Sequence, residues 1–235
     1  MEIKGFVGIS LSDWDAKVSS VLFLPNCNLR CPFCYNKSLV LNPEIMPTIP
    51  EERVEDYLKS NRKWIDGVVI TGGEPTLHQN LPSLCEKMKE IGFRVKLDTN
   101  GTNPTATRRL IESQLVDYVA MDVKAPFTVG KYSKVCGLNA ESIMGRIRET
   151  VQLLLDGVVE YEFRTTLVPT QHKAQDVGEI CQTVKGCRKY VLQNFKPDVE
   201  TIDPSYQNLT SFSKAQMDSF LNVAKKIVPN SVVRG

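Results

Sequence analysis

The sequence of 235 residues predicts an α/β fold in which parallel strands and outer helices form a partial (β/α)6 barrel. The first observation is that six apolar, β-rich segments alternate with segments whose apolar residues recur at helical spacing. The second is that most strand-like segments are apolar throughout, as in parallel strands that helices cover on both faces. Because a closed barrel of this kind has eight strand–helix units, six units indicate an open or partial barrel.

The predicted elements alternate along the chain. The six predicted strands span residues 18–24, 67–71, 94–98, 118–123, 161–168 and 189–194. The six predicted helices span residues 51–61, 81–91, 104–115, 140–155, 176–185 and 213–228. The last helix begins at Ser213, a residue type that favours helix N-caps. We expect a single domain over residues 1–235, with its core at about 18–197 and a C-terminal helix at about 211–228.

Charge and composition restrict the class of function. Lys and Arg total 29 and Asp and Glu total 27, so the net charge is +2, and no block of like charges stands out. We therefore expect neither a nucleic-acid partner nor a membrane surface as partner. The N-terminus has no apolar segment typical of a signal peptide, and we interpret the protein as soluble and cytoplasmic. In a reducing cytoplasm its seven cysteines are expected to be metal ligands, catalytic thiols or small core residues.

Three of the cysteines are clustered in the stretch CNLRCPFCYN, residues 27–36, with the spacing C-x3-C-x2-C. Cys27, Cys31 and Cys34 lie within residues 25–50, which separate the first predicted strand from the first helix. Such connections usually have about two to six residues. A loop of this length at the carboxyl end of a parallel strand is a common location for function.

Two kinds of metal site are compatible with three clustered cysteines. A structural zinc site normally has four ligands from paired C-x2-C knuckles, and no second knuckle is present in the sequence. A [4Fe–4S] cluster bound by three thiolates keeps one iron free of protein ligands. An open coordination position is typical of metal centres that perform chemistry, and this iron could hold a small chelating molecule.

A second motif, TGGEP at residues 71–75, follows the second predicted strand. Gly72 and Gly73 tolerate positive φ and let another group approach the backbone closely. Pro75 disfavours the α conformation at Glu74 and keeps the loop extended. The alternative interpretation is an ordinary tight turn between a strand and a helix.

Polar residues also occupy the ends of the next three strands. Because the carboxyl ends of parallel strands meet at one edge of the sheet, we expect these side chains to converge there, although each alone could be solvated at the barrel rim. They are Asp98, Thr99 and Asn100 in LDTNG, Asp122 and Lys124 in MDVK, and Arg164 in YEFRTTLVP.

The C-x3-C-x2-C spacing with an aromatic residue before the third cysteine, followed by GGEP at the next strand end, resembles the signature of the radical S-adenosylmethionine (radical SAM) superfamily. The resemblance implies that Cys27, Cys31 and Cys34 bind a [4Fe–4S] cluster whose open iron is chelated by SAM. Reductive cleavage of SAM would give a 5′-deoxyadenosyl radical, which abstracts a hydrogen atom. The residues implied to bind SAM around the methionyl amine and the adenine are Gly72, Gly73, Glu74, Pro75 and Phe33.

The stretches LDTNG, MDVK and YEFRTTLVP are similar to those of glycyl-radical-enzyme activases, and most resemble the activating proteins of anaerobic ribonucleoside-triphosphate reductase. This resemblance implies that Asp122 and Lys124 contact the amine and carboxylate of SAM, with Arg164 on the carboxylate side and Asn100 beside the cofactor. Asp98, Thr99 and Asp122 would hold a monovalent cation. The implied partners are a glycyl-radical enzyme and a flavodoxin or ferredoxin as electron donor.

The chain departs from that family at three places. Asp15-Ala16 replaces a usual Pro-Gly, Asn26 replaces a glycine before the first cysteine, and Tyr35 replaces a common histidine. These changes bear on the protein partner rather than on the cluster. The alternatives are a radical SAM enzyme that acts on a small molecule or peptide, and a non-enzymatic zinc or redox-sensing module.

Four further residues are weaker candidates. Tyr132 and Cys136 lie in a long predicted loop at residues 126–138, where we favour packing over contact with substrate. We expect His172 to be a solvated loop histidine and Gln193 to complete the pocket at the end of the sixth strand.

Overall fold

The computed structural model describes residues 1–197 and 199–234 and contains a single sheet in which eight strands follow one another in chain order. The strands are β1 Gly5–Ser10, β2 Ser19–Leu24, β3 Gly67–Gly72, β4 Arg94–Thr99, β5 Tyr118–Asp122, β6 Glu160–Leu167, β7 Tyr190–Asn194 and β8 Ser231–Arg234. Strands β2 to β8 are parallel, and β1 pairs with β2 in the antiparallel direction. The first and last strands do not pair with each other, so the barrel is open.

Eight α-helices occur within the described residues. They are α1 Lys37–Leu41, α2 Glu51–Ser60, α3 Leu81–Ile91, α4 Pro104–Glu112, α5 Val129–Cys136, α6 Glu141–Leu155, α7 Ala174–Thr183 and α8 Lys214–Lys225. Helix α8 begins as the sequence predicts, because the Ser213 hydroxyl accepts the N–H of Gln216 and the Gln216 side chain accepts the N–H of Ser213. Among the described residues, no helix combines the length and apolar character needed to cross a membrane.

The predicted architecture of six parallel strands and outer helices is confirmed, with additions at both margins. Strands β1 and β8 were not predicted: β1 contains two glycines and β8 has only four residues, so neither gives a clear strand pattern. Helices α1 and α5 also lie in segments that the sequence pattern assigns to loops; they have 5 and 8 residues. The assignment of a single domain to residues 1–235 stays a prediction.

The two faces of the sheet have different chemistry. Val95 and Leu97 of β4 belong to the main core beneath the helices, whereas Lys96 and Asp98 alternate with them and face the barrel interior. The lower part of that interior is filled by an apolar cluster of Trp14, Val21 and Val69, with Phe23 and Tyr118 packed against it. Charged side chains lie above this floor, where a purely structural sheet would be apolar.

Four charged residues connect the two margins of the open sheet. Asp15, in the β1–β2 loop, pairs with Lys189 and with Arg234 of β8. Arg234 also donates both terminal nitrogens to the carboxylate of Glu162, at 2.8 and 2.9 Å. Burial would raise the pKa of Glu162, but the hydrogen bonds and charge of Arg234 outweigh it and lower the pKa to about 2. We call Asp15, Glu162, Lys189 and Arg234 the marginal ion-pair group.

Candidate active site

The three clustered cysteines lie at the carboxyl end of the parallel strands, in the loop that follows β2. Their loop is held by hydrogen bonds from the N–H of Cys34 to the carbonyl of Cys31 (3.0 Å) and from the N–H of Arg30 to the carbonyl of Cys136 (2.9 Å). The three cysteines line one cavity of about 400 Å³, as predicted for groups gathered at this edge of the sheet. Other residues that line it are Ser12, Asp13, Phe23, Leu29, Phe33, Tyr35, Asn36, Val40, Thr71, Gly72, Gly73, Asp98, Thr99, Asn100, Asp122, Lys124, Arg164, Thr166, Gln193 and Lys196.

Burial controls the protonation of the three thiols. It raises the pKa of Cys27 and Cys34 above the ordinary value and that of Cys31 to about 12. The metal-free thiols are therefore protonated at neutral pH, and any metal that binds them must displace those protons.

The GGEP loop closes directly onto the cysteine loop. The N–H of Gly73 donates to the carbonyl of Leu24 (2.9 Å), and the N–H of Glu74 donates to the carbonyl of Asn26 (2.8 Å). A Cβ on Gly73 would lie only 1.9 Å from the Asn26 oxygen, and Gly72 has φ +121°. The positive φ agrees with the sequence-based expectation, but the group that approaches these glycines is the chain's own backbone.

Glu74 is fully buried, and both oxygens of its carboxylate accept hydrogen bonds from groups of the protein. One oxygen accepts the Thr76 N–H (3.1 Å), the Thr76 hydroxyl (2.6 Å) and the Thr99 hydroxyl (2.7 Å), and the other accepts the Asn100 N–H (2.6 Å). Burial raises the pKa of Glu74, although these hydrogen bonds oppose the rise. Neither Glu74 nor Pro75 is among the described residues that line the cavity. In this structure Glu74 joins the loop after β3 to the loop after β4, and direct contact of Glu74 or Pro75 with SAM stays a prediction.

A cluster of charges forms the opposite wall of the cavity. Arg164 donates Nη1 to Asp98 (3.0 Å) and Nε to Asp122 (2.9 Å), and the Lys124 ammonium lies 3.3 Å from Asp122. Lys96, which is buried, places its Nζ 3.1 Å from Asp98. Of these cations, Lys124 and Arg164 line the cavity and are the groups placed to meet a ligand that carries a carboxylate. Burial would raise the pKa of Asp122, but the charges of Arg164 and Lys124 outweigh it and the pKa lies below its ordinary value.

The residues predicted to hold a monovalent cation are close together but already engaged. The Arg164 guanidinium bridges Asp98 and Asp122, and the Thr99 hydroxyl donates to Glu74. One oxygen of Asp98, Oδ1, makes no hydrogen bond with the described residues, although the Lys96 ammonium, which donates to the Asp13 carbonyl, lies 3.1 Å from it. Within the described chain no three His, Cys, Asp or Glu side chains are grouped around a single ion position. The cation site stays a prediction.

His172 is not the solvated loop histidine that the sequence suggests. It is 2% exposed; its Nδ1 accepts the Val168 N–H (3.0 Å), so its Nε2 carries the proton and donates to the Lys124 carbonyl (2.8 Å). Burial lowers the pKa of His172 and keeps it neutral. The Tyr132 hydroxyl accepts the N–H of Lys124 (3.3 Å), so both residues fix the backbone that carries the Lys124 side chain.

Several other expectations can be compared with the structure. Tyr132 and Cys136 are fully buried, which agrees with packing, and Gln193 lies in the cavity wall. Thr166 and Lys196 in the wall were missed. Thr166 lies two residues after Arg164 on β6 and therefore shares its face, a signal that the strand period could have supplied.

Two positions where the resemblance implies a glycine have a left-handed backbone. Ala16 has φ +57° and Asn26 has φ +65°. Glycine is the least strained residue in this conformation, and asparagine tolerates it better than alanine does. The substitution at residue 26 therefore preserves the turn into the first cysteine.

The comparison with known proteins defines the class. The model of the Radical SAM superfamily matches residues 21–175, and the chain belongs to this superfamily. Its cofactors are a [4Fe–4S] cluster and SAM. The residues present fit these groups: three thiols line one cavity together with the paired glycines and the charged side chains of Asp122, Lys124 and Arg164. Cys27, Cys31 and Cys34 would hold the cluster, which would supply the electron for reductive cleavage of SAM.

Individual relatives differ in activity. A Methanocaldococcus jannaschii protein provisionally described as a glycyl-radical enzyme activating enzyme is 36% identical over 234 residues, covering 99% of this chain and 95% of that protein. The 7-carboxy-7-deazaguanine synthase of Thermococcus kodakarensis is 29% identical over 190 residues, covering 73% and 72%. The crystal structure of Streptococcus suis SuiB bound to S-adenosylmethionine has a TM-score of 0.68 at 15% identity. The likeness covers 92% of the present chain and 52% of the SuiB chain, so the present chain spans about half the length of SuiB. This last likeness concerns the fold alone.

Proposed function

We propose that this protein is a glycyl-radical-enzyme activating enzyme, which uses SAM to install a glycyl radical on a partner enzyme such as anaerobic ribonucleotide reductase. The observation that carries the proposal is the 36% identity to the M. jannaschii protein over nearly the whole length of both chains. In this proposal a flavodoxin or ferredoxin reduces the cluster, and the deoxyadenosyl radical takes one hydrogen atom from a glycine, giving 5′-deoxyadenosine and the glycyl radical.

The charged wall suits the binding and orientation of SAM. Lys124 and Arg164, which line the cavity, would bind its carboxylate, and Asp122 would accept a hydrogen bond from its amine. Phe33 is buried in the wall and would pack against the adenine, and Asn100 lies beside the first cysteine. Because Asp122 pairs in register with Arg164, the two side chains are placed together by the sheet itself.

The open margin of the barrel supports a macromolecular substrate. Val7 of β1 pairs with Val21 and therefore faces the inner side of the sheet, yet it is 41% exposed, and the nearby Ile9 is 51% exposed. Apolar side chains that are exposed together at the margin of a sheet are typical of interaction surfaces. A glycine-bearing loop of a partner could enter at this margin without unfolding the barrel.

A second candidate is a radical SAM enzyme that acts on a small molecule, as suggested by the deazaguanine synthase relative. The segment after β7 gives this candidate some support, because the N–H groups of Ile202 and Asp203 donate to the carbonyls of Cys34 (3.1 Å) and Pro32 (2.9 Å). Tyr206 also packs against Phe33. However, no described residue after Lys196 lines the cavity, so this segment supports the cysteine loop without covering its mouth.

The test is anaerobic reconstitution, reduction with dithionite and assay of 5′-deoxyadenosine with three additions: none, a glycyl-radical enzyme, or the small-molecule substrate of the deazaguanine synthases. We expect deoxyadenosine together with a glycyl doublet in the EPR spectrum only when the glycyl-radical enzyme is present. Turnover with the small molecule and no glycyl doublet would favour the second candidate and reject the first.

A matched pair of cysteine variants controls this assay. Cys31→Ser removes a predicted cluster ligand, whereas Cys136→Ser changes a buried cysteine of α5 that lines no part of the cavity. We expect Cys31→Ser to lose the cluster and deoxyadenosine formation, and Cys136→Ser to retain about four irons per chain, the content of one [4Fe–4S] cluster.

A further inference from the structure

Asn100, immediately after β4, is a buried amide with its hydrogen-bonding groups almost fully used. Its Oδ1 accepts both the N–H (3.0 Å) and the hydroxyl (2.7 Å) of Thr102. Its Nδ2 lies 3.0 Å from Asn28 Oδ1 and 3.8 Å from the sulfur of Cys27. The second of these contacts points toward the cluster site.

The orientation of this amide is determined by its neighbours. If the amide were rotated by half a turn, its NH2 group would face the Thr102 N–H, and two donors would oppose each other in a buried place. Asn28 strengthens the arrangement, since its own Nδ2 donates to the Thr102 hydroxyl (2.8 Å) while its Oδ1 accepts from Asn100. The donor end of Asn100 is therefore directed at Cys27.

The three cysteine sulfurs receive unequal numbers of hydrogen bonds. Cys27 accepts from the Leu29 N–H (3.4 Å) as well as from Asn100, and Cys34 accepts from the backbone N–H of Asn36. Within the described residues the Cys31 sulfur accepts no hydrogen bond, and Asn100 supplies the one side-chain N–H donor to any of the three. Among the three sulfurs, that of Cys27 therefore accepts the most hydrogen bonds from the described residues.

The geometry points to Asn100 as a residue that tunes the cluster: its N–H donates to the Cys27 thiolate and raises the reduction potential of the [4Fe–4S] centre. Hydrogen bonds to ligand sulfurs are among the factors that set these potentials. One-electron reduction adds negative charge to the cluster and its thiolates, so a donor stabilises the reduced form more than the oxidised form. Thr102 and Asn28 act as positioning residues, because they hold the Asn100 amide in the donating orientation.

The test measures the midpoint potential of the reconstituted cluster by EPR over a series of poised potentials, without SAM and without a partner enzyme. Its outcome is therefore independent of the glycyl-radical activity proposed above. In Asn100→Ala we expect the ratio of reduced to oxidised cluster at a fixed poise to fall about tenfold, which corresponds to about 59 mV for a one-electron couple. An unchanged midpoint in a fully loaded Asn100→Ala protein would overturn the inference.

A matched pair at residue 102 tests the hold on the amide and applies also if Asn100→Ala fails to assemble a cluster. Thr102→Val removes the hydroxyl that donates to Asn100 and accepts from Asn28, whereas Thr102→Ser keeps it; the Thr102 N–H donates to Asn100 Oδ1 in both. We expect a lower midpoint potential in Thr102→Val, because the amide keeps only one of its two donors from Thr102, and the wild-type value in Thr102→Ser. Equal midpoints in the two variants would reject the positioning role of Thr102.

Discussion

Arg164 is the residue whose removal should disturb the charged wall most. It is 11% exposed at its side chain and makes two charge-assisted hydrogen bonds, one to Asp98 and one to Asp122. Hydrogen bonds to charged groups contribute about 1.5–3 kcal/mol each, and we take the lower value because Asp122 is partly exposed and retains Lys124. Arg164→Met should therefore lower the free energy of unfolding by about 3 kcal/mol.

The assay is thermal or urea unfolding of the metal-free, reduced chain. For a chain of this size, a loss of about 3 kcal/mol corresponds to a fall of about 6–12 °C in the unfolding midpoint. A double variant tests the cause. Asp98→Asn should cost less in the Arg164→Met background than in the wild type, with a coupling of about 1–3 kcal/mol, because the unpaired carboxylate is then absent. A loss below about 1 kcal/mol in Arg164→Met, or an equal cost of Asp98→Asn in both backgrounds, would refute the reasoning.

Three further predictions concern single positions. In Lys96→Met, Asp98 loses its ammonium neighbour. The unfolding midpoint of this variant should therefore rise more with added potassium than with added choline at equal ionic strength. An equal rise with the two salts would contradict a cation site at Asp98. His172→Gln should reduce the loss of stability between pH 7.5 and 5.5. Burial lowers the pKa of His172, so near pH 6.5 the unfolded chain binds a proton that the folded chain does not bind, and the free energy of unfolding falls as pH decreases. The charged neighbours of His172, Asp176 and Lys131, are unchanged in this variant. Ala16→Gly should raise the free energy of unfolding by about 0.5 kcal/mol, since an exposed alanine at positive φ is strained, and urea denaturation that shows a decrease would count against this.

The sequence predicts those features of the fold that follow from the order of the elements and from the place of a residue along its strand. Strands β2 to β7 are apolar and alternate with helices, so their order and direction follow from pattern. Asp98 and Asp122 lie near or at the ends of β4 and β5, and Arg164 lies within β6 in register with Asp122, so the pairing of parallel strands brings the three residues together whatever their side chains then contact. The cavity lined by the three cysteines and these charges is the result.

The hydrogen-bond partners of individual side chains were harder to predict from the sequence. Glu74 follows two glycines and looks like a cofactor contact, but its four hydrogen-bond donors come from residues 76, 99 and 100, and no local pattern predicts that they meet. His172 is similar, because a histidine in a loop is usually solvated, and its burial depends on Val168 and Lys124 from two different strand ends. Such contacts depend on how three loops stack at the sheet edge.

The marginal ion-pair group has a consequence for how the barrel responds to salt. The first and last strands share no ladder of backbone hydrogen bonds, and the β1–β2 loop is tied to β8 through Asp15 and Arg234. Ion pairs at a partly exposed position weaken as ionic strength increases, whereas ladder hydrogen bonds do not. The contacts of Asp15 with Lys189 and Arg234 should therefore weaken as salt is added, whereas the strand pairing that places the cysteine loop and the charged wall should be unaffected.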